Sequence, residues 1–123
     1  MVKIFLIIFF SVSLTACVVM NTKNGSLRVT NIVASGYDGV SSEFCASFSL
    51  TKDEAQYYFD NAKQVSARDI HDNYSFLPCY VSGEANLNNQ ICEWEVRAGG
   101  TSHITCGNQS MLMGCEDCLP TQK

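Results

Sequence analysis

Seven cysteines are spread along this chain, at positions 17, 45, 79, 92, 106, 115 and 118. That is a dense supply of cross-links for a chain of 123 residues. A small domain buries too little apolar surface to be secure on its core alone, and in oxidising compartments disulfides make up the difference. Cys17 stands apart at the end of an apolar run. The other six form an even set, which allows three bonds and fifteen possible connectivities. Whether they are bonds depends on where the chain ends up, so the N-terminus has to be read next.

The chain starts with a basic residue, Lys3, followed by Ile4-Phe5-Leu6-Ile7-Ile8-Phe9-Phe10 and an apolar continuation through Val12 to Leu14. A charged start, an apolar stretch and then small residues are the layout of a secretory signal peptide. The stretch is short for a membrane-spanning helix, which takes about twenty residues, and Ser11, Ser13 and Thr15 dilute it. Its end, Leu14-Thr15-Ala16-Cys17, resembles the lipobox of bacterial lipoproteins. The resemblance implies that residues 1–16 are removed and that the Cys17 thiol carries a diacylglyceryl group. The acyl chains, of which palmitate is the common kind, then anchor the protein at about 0.8 kcal/mol per buried methylene. Val18 follows the anchor where Asp would signal retention, so the same resemblance implies export to the outer membrane, facing the periplasm. That compartment oxidises thiols, and structural disulfides are expected among Cys45, Cys79, Cys92, Cys106, Cys115 and Cys118.

What is left after cleavage suffices for one small domain, expected at 27–123, behind a short polar tether at 17–26. Twelve Asp and Glu stand against eight Lys and Arg, a net charge of −4, and loss of Lys3 makes the balance more acidic. Such a surface argues against nucleic acid or anionic lipid headgroups as partners. It favours a basic protein partner.

Along the domain, 27–34 is rich in β-branched residues and runs into the turn-forming Ser35-Gly36-Tyr37-Asp38-Gly39, which predicts a strand. Phe44, Ala46, Phe48 and Leu50 alternate with Glu43, Cys45, Ser47 and Ser49, the period of a half-buried strand with Cys45 on its polar face. Thr51-Lys52-Asp53-Glu54 is a capping box. Ala55, Tyr58, Phe59, Ala62 and Val65 then fall on one helical face, so the main helix is expected at about 51–65. Residues 66–73 are polar and read either as a turn or as a short helix. Strand is expected again from Phe76 to Val81, with Pro78 placing it at an edge or a strand start. Residues 83–90 carry three Asn and read as a loop, and the tail from Gly107 reads as irregular.

The clearest hairpin is 91–97 with 101–106. A three-residue loop Ala98-Gly99-Gly100, with one Gly in the left-handed conformation, sets Trp94 opposite Ile104 and Glu95 opposite His103. That register also sets Cys92 opposite Cys106, within reach of a disulfide. Cys115 and Cys118 pair either with each other or with Cys45 and Cys79. The expected fold is therefore α+β: a small antiparallel sheet with one main helix packed on a face, stapled by disulfides.

No catalytic residue, metal or cofactor is expected. Cys115-Glu116-Asp117-Cys118 has the spacing of a redox site, but two carboxylates between the thiols disfavour the thiolate, and no βαβ unit precedes it. His71 and His103 show no ligand spacing. His71-Asp72 lacks a nucleophile motif. For partner binding, the candidates are Arg97, Gly99 and Gly100, read as a projecting tip that could plug a cleft, and Tyr57 beside the helix's apolar face. In layout the chain is similar to lysozyme-inhibitor and toxin-immunity lipoproteins, which implies a non-enzymatic inhibitor or immunity protein against an envelope-attacking enzyme. The alternative is an accessory lipoprotein of an envelope complex.

Overall fold

The computed structural model describes residues 27–39 and 43–120. The expected leader, the lipid-bearing Cys17 and the tether up to residue 26 lie outside the described residues. Nine elements follow in order: β1 (Arg28–Tyr37), α1 (Glu43–Ala46), α2 (Lys52–Asn61), β2 (Lys63–Gln64), α3 (Ala67–Asn73), β3 (Cys79–Leu87), β4 (Gln90–Arg97), β5 (Thr101–Cys106) and β6 (Gln109–Gly114). The six strands form one antiparallel sheet in the order β1-β3-β4-β5-β6-β2. Strands β3 to β6 are a meander, and β1 and β2 close its two ends. Strand is the dominant structure, and the helical residues are divided among three segments rather than gathered in one.

The capping box read from Thr51 is formed, with Glu54 N donating to Thr51 Oγ1 at 3.1 Å and Thr51 N to Glu54 Oε1 at 2.9 Å. Its helix ends at Asn61, short of the expected 65. Ala62 is already extended, and the chain passes into β2, with Val65 N donating to Leu112 O at 3.0 Å. Pairing with the β6 edge therefore wins over a last helical turn that has no basic residue to hold it. A second capping box, Ser66 to Asp69, starts α3. The Ser66 amide donates to Asp69 Oδ2 at 3.0 Å, and this bond, ahead of the Ser66 side chain's, holds the Asp69 carboxyl below the usual carboxylate range.

Four other expectations are corrected. Residues 44–50 are not a strand: 43–46 form a helical turn, and the rest crosses the core edge outside the sheet, with Phe48 and Leu50 buried. Cys45, expected on a polar face, is buried because it bonds Cys79 at the start of β3. Residues 83–87, expected as loop, belong to β3. Only Asn88 and Asn89 turn the chain, both at positive φ (50° and 66°), a conformation Asn tolerates well and that a two-residue hairpin requires. The tail from Gly107 is not irregular: Gly107 at φ 59° makes a tight turn and Gln109–Gly114 pairs with β5 along its length.

One face of the sheet is covered. Val81, Ala85, Cys92, Trp94, Val96 and Ile104 from the strands meet Ala55, Tyr58 and Phe59 from α2 in a single buried cluster. Phe59 stands edge-on to Trp94, with centroids 5.5 Å apart, and to Tyr58 at 5.1 Å. Such pairs contribute about 0.5–1.5 kcal/mol beyond area burial. The indole nitrogen of Trp94 donates to Glu84 O at 2.9 Å, so its one polar atom is satisfied inside the core. Cys45–Cys79, Cys92–Cys106 and Cys115–Cys118 are the three disulfides.

Candidate functional site: the open face of the sheet

Side chains alternate across a strand, so the strands that fill the core also furnish the opposite face. On β4, Cys92, Trp94 and Val96 point inward, and Glu93, Glu95 and Arg97 are left on the open side. Register stacks the open side into rows. Ser82, Glu95, His103 and Leu112 form one row, and Glu84, Glu93, Thr105 and Ser110 the next. The β3, β4 and β5 members of these rows, together with Asp38, Tyr80 and Val33, bound a shallow trough of about 520 Å³.

Four carboxylates border the trough, and they fall into two kinds. At one end Arg97 is clamped between the rings of Phe76 and Tyr80, each centroid 5.5 Å from its guanidinium carbon. Its Nη2 donates to Asp38 Oδ2 at 2.7 Å and to Glu95 Oε1 at 3.3 Å. The two acids there share this one cation. At the other end Glu84 and Glu93 oppose one another directly across β3 and β4. Among the described residues neither has a cation within ion-pair distance. Asn31 donates to Glu84 Oε1 at 3.2 Å, which helps hold that carboxylate in place without neutralising it. Like charges directly opposed on a sheet cost about 0.2–1 kcal/mol.

The residues singled out from sequence are placed differently. The 98–100 loop does not project. Gly100, at φ 93°, is buried, and its carbonyl accepts from Tyr58 Oη at 2.8 Å and from Cys115 N at 2.9 Å. Burial pushes the Tyr58 phenol well above its ordinary pKa. Gly99 is pressed on the Ser75 carbonyl, so a side chain there has no room. Gly99 and Gly100 thus sit where the hairpin meets Ser75, α2 and the tail, whereas Arg97 lies apart from them at the end of the trough. Tyr57 is exposed (58%) on α2, whose other side packs the covered face, so it does not join Arg97 at a common surface. His71 Nδ1 and Asp72 Oδ1 do touch, at 3.0 Å, but on the exposed surface of α3. Cys115 and Cys118 are bonded to each other. Among the described residues no group of three or more His, Cys, Asp or Glu is arranged to hold a metal.

Sequence reasoning missed Glu84, because its segment was read as loop, and so missed its pairing with Glu93. The signal was present in Gly83-Glu84-Ala85-Asn86-Leu87, a polar and apolar alternation hidden by its Asn content. No protein-family model, no curated protein and no solved structure matches this chain.

Proposed function

We propose that this chain is the precursor of a lipid-anchored, periplasm-facing binding protein that catalyses no reaction, and that its open sheet face receives a basic protein partner. In this reading Cys17 bears the lipid, 17–26 is a tether, and 27–123 is one domain in which α2 is the main helix on the covered face. The partner is an enzyme that attacks the cell envelope, and the protein serves as its inhibitor or immunity factor.

The opposed, uncompensated Glu84 and Glu93 carry the proposal. A like-charge pair lowers stability wherever it stands. Arg97 shows that the same face can accommodate a neutralising cation, yet this row has none among the described residues. A cation supplied by a partner would relieve the repulsion on binding, and the surrounding acidity would speed encounter in a salt-dependent way.

Affinity capture from envelope extract, comparing the wild-type chain with Glu84→Lys/Glu93→Lys, tests this. The wild type is expected to retain a basic hydrolase or toxin and to inhibit it, and the charge-reversed variant and high salt are each expected to abolish retention. Capture of the same partner by both chains would refute the trough as the binding surface. Copurification of a multi-protein envelope assembly in place of an enzyme would favour the accessory role instead.

A further inference from the structure

The three described disulfides are not equally protected. Cys45–Cys79 ties α1 to β3 and Cys92–Cys106 staples β4 to β5, and all four of these cysteines are buried. In Cys115–Cys118 neither cysteine belongs to a strand or a helix, and Cys115 is only half-buried. Of the three bonds, this one alone has a cysteine outside the buried core. A disulfide also constrains the unfolded chain less when the loop it closes is shorter. The two cysteines are 3 positions apart here, against 34 and 14 in the other bonds. The bond most open to attack is therefore the one whose loss costs the native fold least.

What this bond holds is the tail. Cys118 is buried and Leu119 packs on the core cluster, while Glu116 and Asp117 between them are exposed. Cys115 N donates to Gly100 O at 2.9 Å, and the Cys115 carbonyl and Glu116 Cα lie against Gly100 where a side chain would stand. The same Gly100 carbonyl accepts from the buried Tyr58 phenol. The disulfide thus fixes the turn that carries the chain off the 98–100 loop and returns Cys118 and Leu119 to the core.

We propose that Cys115–Cys118 is a site of reversible reduction by a dithiol with neutral or basic surroundings, and that its opening releases residues 116–120 while the sheet stays folded. A thiolate of the reductant attacks Cys115 Sγ, the S–S bond breaks, and Cys118 leaves and takes a proton. The reductant's second thiol then attacks the mixed disulfide and frees Cys115 as a thiol. Two electrons and two protons have moved, and the reductant ends as its own disulfide. Glu116 and Asp117 repel an anionic reductant and attract a cationic one, which sets the class of partner. They also disfavour the freed thiolates, so the pair is a substrate of exchange rather than its catalyst. The trough takes no part, since none of residues 115–120 lines it.

Timed reduction of the folded full chain by dithiothreitol, quenched by alkylation and mapped by mass spectrometry, reads which bond opens. Cys115 and Cys118 are expected to become alkylated about tenfold or more faster than the other four. At low salt, cationic cysteamine is expected to outpace anionic mercaptoacetate by more than it does on a small uncharged disulfide, and Glu116→Gln/Asp117→Asn to shrink that excess. Hydrogen exchange after selective opening is expected to show the Cys115 amide losing protection with the β3–β5 ladder unchanged. All three bonds opening together, an excess indifferent to Glu116→Gln/Asp117→Asn, or an unaltered Cys115 amide would overturn the proposal. Cys115→Ser/Cys118→Ser is expected to fold and melt cooperatively, and its failure to fold would overturn it too.

Discussion

The two faces of this sheet are built by the same strands and obey opposite rules. On the covered face Val81, Ala85, Cys92, Trp94 and Val96 are almost free of solvent within one buried cluster, with Trp94 finding a partner for its only polar atom. On the open face Glu84, Glu93, Glu95 and His103 stand in rows over a trough, with one cation shared by the acids at one end and none among the described residues beside those at the other. Alternation with period two lets one six-residue run, Cys92-Glu93-Trp94-Glu95-Val96-Arg97, serve both. Stability is therefore concentrated on one side of each strand, and the other side is free to carry charge that folding alone would not select.

Substitutions should break this division unequally. Trp94→Ala on the covered face removes the largest side chain of the cluster and its contact with Phe59. It is expected to cost about 3–5 kcal/mol in chemical denaturation. Gly83→Ala tests how closely that face is packed, since an added methyl would meet the Asn31 carbonyl and the Trp94 ring. A loss of about 1–3 kcal/mol is expected, and a neutral result would mean that the β1–β3 contact yields easily. On the open face the sign should reverse. Glu93→Gln relieves the repulsion with Glu84 and is expected to raise stability by about 0.2–1 kcal/mol, less in high salt. If Glu93→Gln destabilises instead, the carboxylate has a structural role and the contrast between the faces fails.

What the sequence conveyed of the fold depended on how local the signal was. The Thr51 capping box and the Ala98-Gly99-Gly100 hairpin are short-range devices, and both are present with the expected pairs, Trp94 with Ile104 and Glu95 with His103. The segments misread were those whose state is decided by distant neighbours. Phe48 and Leu50 keep their alternating burial but find no strand to pair with. Gln109–Gly114, with its Met-Leu-Met run, becomes a strand because β5 offers it an edge. The Ser66 capping box was overlooked because no apolar face follows it: α3 buries no residue. For the candidate site, acidity was legible in the sequence but arrangement was not. Glu84 and Glu93 are nine positions apart, and only the Asn88-Asn89 turn brings them together.

The disulfide connectivity has a consequence for synthesis. Cys45 is bonded to Cys79, Cys92 to Cys106 and Cys115 to Cys118, so every one of these cysteines has as its mate the next or the previous cysteine in the chain. A polypeptide threaded N-terminus first into an oxidising space would present them in that order. Each thiol would meet its correct partner before any later one had emerged, and native bonds would form without reshuffling. A free thiol at Cys17 would shift that sequence by one and mispair every bond after it. On the lipoprotein reading, acylation of Cys17 therefore protects the pairing of the domain it anchors.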